Sequence, residues 1–571
     1  MQNKALETFI LSSEEKVFYD TRPTESVRSL QIFSNETCYF TYTYRSNEKC
    51  CIPISVSVSA KDIPISVFRI DNVSVAHTDS GFDEVASEGR APGSFPDILL
   101  ERKALPEIGK TDCGRLPFYE KDEKILLNAT NDATKALLIG INEDGKALSA
   151  GEYTVTVAAR SLFDGKTVAE NTLSLTVLPA ALPKIDFYYT NWVHYDCIAD
   201  IHGAEIWSDG YFNILSSYLK CAAKYGMTLL LTPTFTPALD THVGGERMKA
   251  QLVGIERKDG VYTFDFTLLE RFVETAKAAG FERFEHPHLF TQWGAEHAPN
   301  IYVNENGREV HAFGWDTDAS GEEYKSFLKQ YIPAIKNEAK ALGIELFWHI
   351  SDEPTPEVEL TYKRAKNALG DLLDGERSGD ALSDIRFYNE GLVKTPAVSI
   401  DYVYKFFGKC EHLWAYYTGG YYANHTTQRF TNRLITDKPY RTRIGGLHFY
   451  KYKLEGFLHW GYNYYYDRMS KGIVDPKLDP CGYKNLPGAS FIVYPWLGGC
   501  APSLRSVYMK NSLTDLRALK LLEGFIGYDN VIKLCDEFFG EEISAETMPK
   551  SADEMLRFRE MINCEILKYV K

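Results

Sequence analysis

The sequence predicts a multidomain chain: an N-terminal β-sandwich, then a (β/α)8 barrel of the TIM type, then a helical C-terminal tail. Three observations carry this. At 571 residues the chain exceeds what one hydrophobic core usually organises, so two or three domains are expected. Its first third alternates apolar and polar residues with the two-residue period of strands. Beyond a proline-marked break near residue 180, short apolar runs alternate with stretches of helical periodicity. Hydrophobic residues at 44% and charged residues at 25% are the mix of an ordinary globular protein.

In the first domain, residues 1–180, the segments 38–44, 54–58 and 153–157 alternate strictly, and turn residues such as those at 142–145 separate them. No amphipathic helix intrudes, which favours a sandwich. The strand at 173–177 runs into Pro179 and Pro183, a linker signal. The second domain, 184–528, opens with an apolar strand at 185–189. A helix follows over 211–225, where Phe212, Leu215, Leu219 and Ala222 share a face. Further strands are expected at 227–231, 281–284, 344–350, 384–388, 398–403, 412–417 and 456–460, with a helix over 322–342. Eight strands alternating with helical segments suggest the barrel. From about 510 the pattern is helical, and 529–571 is expected to pack on the barrel as a tail.

The formal net charge of −15 argues against a phosphate-backbone partner, so no nucleic acid is expected. The first twenty residues lack a basic stretch followed by an apolar core, and no segment is long and apolar enough to span a bilayer. Eleven cysteines without a Cys-x-x-Cys pair suit reduced thiols. A cytoplasmic protein without membrane insertion is the expectation.

Reactive groups in such barrels project from the C-terminal ends of the strands, so a residue's place on a strand is evidence about its role. Asp352 and Glu353 follow directly on the expected fourth strand, with Pro354 disposing Glu353 toward an extended conformation. Two carboxyls this close resist joint ionisation, so one should hold its proton, as a general acid must. The plain structural alternative is a helix N-terminus capped by acids. Around the same strand ends fall Trp192, Tyr388, Asn389, Trp414, Tyr416, Trp460 and Tyr462, candidates for a platform against a sugar ring. Core packing is the alternative for each ring.

Glycosidases usually pair their acid with a second carboxylate. Here the seventh and eighth strand ends, 416–420 and 460–463, carry none, and Glu390 and Asp467 are the nearest substitutes. This points to a substrate that brings its own nucleophile, the carbonyl oxygen of a 2-acetamido group. His286 and His288, with His297 nearby, form a candidate zinc pair on one face, weighed against a structural use. Neither a metal nor a cofactor is expected.

The segment Phe347-Trp348-His349-Ile350-Ser351-Asp352-Glu353-Pro354 resembles the strand-four Asp-Glu motif of glycoside hydrolase family 123, the β-N-acetylgalactosaminidases. Leu413-Trp414-Ala415-Tyr416-Tyr417, Arg443-Ile444-Gly445-Gly446 and the segments 454–461, 493–496 and 502–505 resemble the family's C-terminal half. The resemblance implies a sandwich and a catalytic barrel, a glycan or glycoconjugate substrate, and cleavage with retention of configuration and without metal. It makes Glu353 the general acid/base and Asp352 the group that orients the acetamide and stabilises the oxazolinium. A two-carboxylate glycosidase using Glu353 with Glu390 and a non-catalytic carbohydrate-binding protein are the competing readings.

Overall fold

The computed structural model describes residues 5–78, 87–101, 103–104, 119–121, 124–292, 294–417, 430–482 and 486–570. Its N-terminal region is built from two sheets. One orders the strands Leu6–Ser12, Cys38–Ser46, Lys135–Ile141, Ile65–Val75 and Gly93–Glu101, all antiparallel. The other has seven strands, with Ile52–Ser59 at its centre and Gly151–Ser161 and then Thr167–Leu178 to one side of it. Alternation does the work expected of it: Val155 and Val157 are buried while Thr154 is exposed. These valines join Ile54, Val56, Leu137 and Ile139 in a core shared by the two sheets.

The strand Cys38–Ser46 is buried on both faces, which its alternating pattern does not foretell. Its second face has a covering: Tyr39, Phe68, Leu99 and Leu138 pack against Tyr225, Leu504, Val507 and Tyr508 of the C-terminal region. Asp97 and Arg505, both fully buried, pair across the same interface at 3.0 Å, and Tyr494 donates to the Asp97 carboxylate. A buried charge needs such a partner, because leaving one alone costs several kcal/mol, about 3–5.

Eight short parallel strands follow, numbered here β1 Tyr188–Asn191, β2 Leu229–Leu231, β3 Arg283–His286, β4 Glu345–Trp348, β5 Gly379–Ala381, β6 Thr395–Ser399, β7 Trp414–Tyr416 and β8 Gly456–His459. They form two sheets, β1-β8-β7-β6-β5 and β2-β3-β4. Backbone contacts cross both gaps: Thr228 N–H donates to Tyr189 O at 2.9 Å, and Trp348 bridges to Ser378. Tyr188, Leu229, Leu231, Phe347, Trp414 and Leu458 make an apolar cluster between the two sheets. Long helices cover the outside, among them α1 Asp209–Lys224, α2 Thr267–Ala279, α3 Glu322–Ala341, α4 Glu359–Leu369 and α5 Leu504–Ile526. Two hairpins, Gly254–Lys258 with Val261–Asp265 and Ile301–Glu305 with Arg308–Phe313, form a four-stranded sheet of their own. The sequence reading did not anticipate them.

Two strand assignments need correction. The fifth strand is Gly379–Ala381 rather than 384–388, where Arg386–Asn389 is a single helical turn started by Asp384, whose carboxylate accepts the Arg386 N–H. The sixth is Thr395–Ser399, and the apolar residues beyond it form a 3₁₀ turn over Ile400–Lys405. Helix α5 begins at Leu504, earlier than expected, because Ser503 and Ser506 exchange side-chain and backbone hydrogen bonds in a capping box. Two further helices, α6 Tyr528–Phe539 and α7 Ala552–Leu567, close the chain. Arg559 of α7 bonds Asp515 of α5 and Glu36 of the N-terminal region, and Arg443 joins Asp515 to Glu14. No helix of the described residues is long and apolar enough to cross a membrane.

Candidate active site

Strand β4 stops at Trp348, and hydrogen bonds fix Ile350, Ser351 and Glu353 in the segment that follows. Ile350 N–H and Ser351 N–H both donate to Asp380 Oδ1, at 2.9 and 3.2 Å, while Tyr362 OH donates to Oδ2 at 2.6 Å. Burial pushes the Asp380 carboxyl up to about 6, against the pull of His349 and these donors. Ser351 Oγ donates to Thr291 O, and Glu353 N–H to Ala381 O at 3.0 Å. Asp380 therefore works as a clamp on the main chain that carries Asp352 and Glu353.

Glu353 sits at φ 45°, a left-handed conformation rather than the extended one that Pro354 was expected to favour. For a residue with a Cβ this costs on the order of 1–2 kcal/mol, and the bond to Ala381 O and the Asp380 clamp hold it there. Its carboxylate Oε1 accepts the Tyr416 hydroxyl of β7 at 2.8 Å. Asp352 is half-buried. Its carboxyl is held well above the usual carboxylate range, first by removal from water, then by the charges of Glu353, Asp380 and Asp240. The expectation that one of the two acids keeps its proton thus points to Asp352, which burial and the neighbouring charges dispose to hold it.

Beneath the pair lies a buried polar network. Glu285 of β3 accepts from Thr190 Oγ, from the Trp192 indole N–H at 3.1 Å, and meets His349 Nε2 at 2.7 Å. The other ring nitrogen of His349 faces Gly379 O at 2.9 Å. His288 stacks on His349 with ring centroids 4.8 Å apart and abuts the Trp192 ring at 5.0 Å. Burial holds the His288 ring in its neutral form.

The rings named from the sequence fall in different places. Trp192, Tyr416 and the half-buried Trp460 belong to the same apolar cluster as Trp414, and of these Tyr416 reaches Glu353 and Trp192 reaches Glu285. Trp414 lies between the sheets, 1% exposed and stacked between Tyr188 and Phe347 at 5.3 and 4.6 Å. Tyr462 turns outward, donating to Tyr218 O of α1. The structure does not bring Tyr388 and Asn389 to the Asp352 and Glu353 pair: both lie on the turn after β5, where Tyr388 OH accepts Glu411 N–H and Asn389 is exposed. Glu390 is ion-paired with Lys363 at 2.7 Å, and Asp467 accepts the main-chain N–H groups of Lys471 and Gly472. Asp380, Glu285, His349 and Asp240 escaped the sequence reading. A buried Glu-His-Pro-His run at a strand end was the available signal for Glu285.

The proposed zinc pair does not converge. His286 points to Thr234 and Tyr331, away from His288, because β3 ends at His286 and the two-residue alternation of a strand does not carry on to His288. Among the described residues, His288, His349 and Asp380 place one ligand atom each within 4.8 Å of one another. Both His349 nitrogens and both Asp380 oxygens are already engaged in hydrogen bonds, so only His288 offers a free donor. That donor set fits a hydrogen-bond network better than a cation.

The family model described as "Glycoside hydrolase 123, catalytic domain" matches residues 192–522. A family 123 glycoside hydrolase from Clostridium perfringens, described for its hydrolysis of glycolipid glycans, superposes with a TM-score of 0.69 at 12% identity, over 99% of each chain. A family 39 glycoside hydrolase from Bacteroides cellulosilyticus matches 81% of each chain at 9% identity with a TM-score of 0.30, too low to bear on the fold. No curated protein matches. With the family model covering more than half of the chain, and carrying Asp352 and Glu353 within it, this protein belongs to glycoside hydrolase family 123.

Proposed function

We propose that the chain is a retaining glycosidase for terminal β-linked 2-acetamido sugars, with N-acetylgalactosamine the first candidate, working through an oxazolinium intermediate. In this reading β1 to β8 act as one (β/α)8 ring, closed by the contacts at Tyr189 and Trp348, and the N-terminal sheets as a sandwich beside it. The observation that carries the mechanism is where the acids near the pair lie: Asp240 after β2, Asp401 after β6, and none in the segments that directly follow β7 and β8. Asp352 and Glu353 stand together at β4, while the segments after β7 and β8, residues 417–436 and 460–466, contain no acid at all.

The steps balance as follows. The acetamide carbonyl oxygen attacks C1 as the C1–O glycosidic bond breaks, and Glu353 gives its proton to the leaving oxygen. Asp352, as carboxylate, accepts the acetamide N–H and offsets the positive charge of the oxazolinium. Glu353 then takes a proton from water, which attacks C1 on the face the aglycone left, and the ring reopens with configuration retained. Burial and neighbouring charge dispose the resting Asp352 to hold a proton, so in this reading substrate binding leaves Asp352 ionised to accept the acetamide N–H and the proton on Glu353.

That resting distribution favours one second reading, in which Asp352 is the acid. Leaving-group dependence separates the two. A panel of aryl glycosides, with and without an N-acetyl-thiazoline inhibitor, tests the whole proposal. Cleavage of 2-acetamido sugars with thiazoline inhibition is expected; cleavage of 2-hydroxy sugars insensitive to thiazoline would point to a protein nucleophile, for which Asp240 and Asp401 at neighbouring loops are the candidates.

A further inference from the structure

Buried polar atoms in proteins nearly always have partners. The loop after β3 departs from this repeatedly: both ring nitrogens of His288 and the side-chain Nε2 of Gln292 have none, although the residues are only 2% and 7% exposed. The Gln292 amide cannot be turned over to relieve this. Asp240 N–H donates to Gln292 Oε1 at 2.7 Å, which fixes the oxygen there and sends the NH2 group the other way.

The loop is also well placed. Leu289 N–H and Phe290 N–H donate to His349 O and Ile350 O, and Thr291 O accepts from Ser351, so 288–292 runs alongside the chain that ends in Asp352. Gln292 is bonded to Asp240, whose charge acts on the Asp352 carboxyl. His288 lies against Trp192 and His349, directly beneath the site. These atoms have almost no accessible surface in this structure, so a hydroxyl meets them once neighbouring side chains give way as the sugar enters. A neutral imidazole offers one donor and one acceptor, and a primary amide offers two donors; a hydroxyl, which gives one hydrogen and accepts others, complements both.

We infer that His288 and Gln292 are the contacts that recognise ring hydroxyls of the sugar held by Asp352 and Glu353, and so set which epimer is accepted. This rests on the glycosidase reading above. Neither residue moves a proton in that reaction, so their contribution is to specificity. A trapped water is the competing occupant, since it presents the same hydrogen-bonding groups as a hydroxyl.

The test crosses variants with substrates. Aryl 2-acetamido-β-galactoside and its 3-, 4- and 6-deoxy analogues are assayed with the parent chain, His288→Asn and Gln292→Glu. Gln292→Glu keeps the acceptor for Asp240 N–H and loses the two donors. Each variant is expected to lose about 10- to 100-fold in kcat/KM on the full sugar, the range for leaving a polar group of the site unpaired. With one particular deoxy analogue the loss should shrink to less than about 3-fold, because the partner hydroxyl is already gone. Equal losses across all four substrates, in variants whose melting temperature matches the parent, would assign these residues to water or to structure and overturn the inference. A variant that melts lower is read through the same ratio, which instability alone does not change. If the parent cleaves no 2-acetamido sugar, the functional reading itself falls and takes this inference with it, a result distinct from activity with equal losses.

Discussion

The end of β4 and the loop after β3 run side by side, yet they are finished differently. On the β4 side the groups that support the acids are engaged: Asp380 takes three donors, His349 is held at both nitrogens, and Glu353 accepts Tyr416. On the β3 side, His288 and Gln292 keep buried atoms without partners. The difference teaches where each part of the reaction's free energy comes from. Groups that act on developing charge must be fixed beforehand, since reorganising them during the reaction would add to the barrier. Groups that choose a substrate gain from being left unsatisfied until the right one arrives, because a wrong one then leaves them unpaired.

The largest effect should come from the fixed side. In the proposed mechanism Glu353→Gln removes the proton donor to the leaving oxygen, and kcat on a poor leaving group should fall by about 10²- to 10⁴-fold. The loss should narrow sharply with an activated aryl leaving group that departs without a proton. If instead Asp352→Asn shows the leaving-group dependence and Glu353→Gln does not, the roles are exchanged. The observation that Asp352 is the acid with the raised affinity for its proton makes this comparison informative in either direction.

The fixed side was also the legible side. Asp352 and Glu353 stood out because two acids and a proline follow a run of seven mostly apolar residues, and that run became β4. What supports them did not stand out. Residues 378–381, Ser-Gly-Asp-Ala, carry no β-branched or aromatic residue, so nothing marked them as β5, and Asp380 was invisible as a strand-end group. The same error moved Tyr388 and Asn389 to a strand end they do not occupy. Aromatic rings were read by sequence position alone, which cannot separate a residue between the sheets from one at their ends; Trp414 and Tyr416 are two apart on β7, and only the second reaches Glu353.

That pair supplies the next prediction. Trp414 is packed between Tyr188 and Phe347, so Trp414→Ala should destabilise the fold by about 3–5 kcal/mol, seen as a lower melting temperature, with KM of the folded fraction unchanged. Trp460→Ala, at a half-buried ring packed on the same cluster just beyond β8, should do the reverse if it is part of the proposed sugar platform: KM rises and the melting temperature moves little. A KM effect from Trp414 would place it in contact with substrate, against the present geometry.

A smaller effect concerns the clamp. Burial raises the Asp380 carboxyl to about 6, so between its ordinary value near 4 and about 6 the folded chain binds a proton that the unfolded chain has released. Stability from this group is therefore present at low pH and is lost as pH rises through that window. Asp380→Asn removes the titration. Its melting temperature should fall less between pH 4 and pH 7 than the parent's, whatever its absolute value. Parallel curves would mean that Asp380 stays ionised in the fold and is held by its three donors alone.

The smallest effect tests the two-carboxylate reading that draws on Glu390. A two-carboxylate glycosidase built on Glu353 and Glu390 needs the second acid at the reacting carbon, about 5–9 Å from the first. Glu390 is instead ion-paired with Lys363 of α4 and partly exposed, a kind of surface pair worth about 1 kcal/mol or less. Glu390→Gln should change kcat/KM less than about 2-fold, within the range of a surface substitution. A loss approaching that of Glu353→Gln would require the turn at 386–390 to swing onto the site during the reaction, and would return the nucleophile from the substrate to the protein. A flat result removes Glu390 and leaves Asp240 and Asp401 as the carboxylates that a two-carboxylate mechanism would have to use.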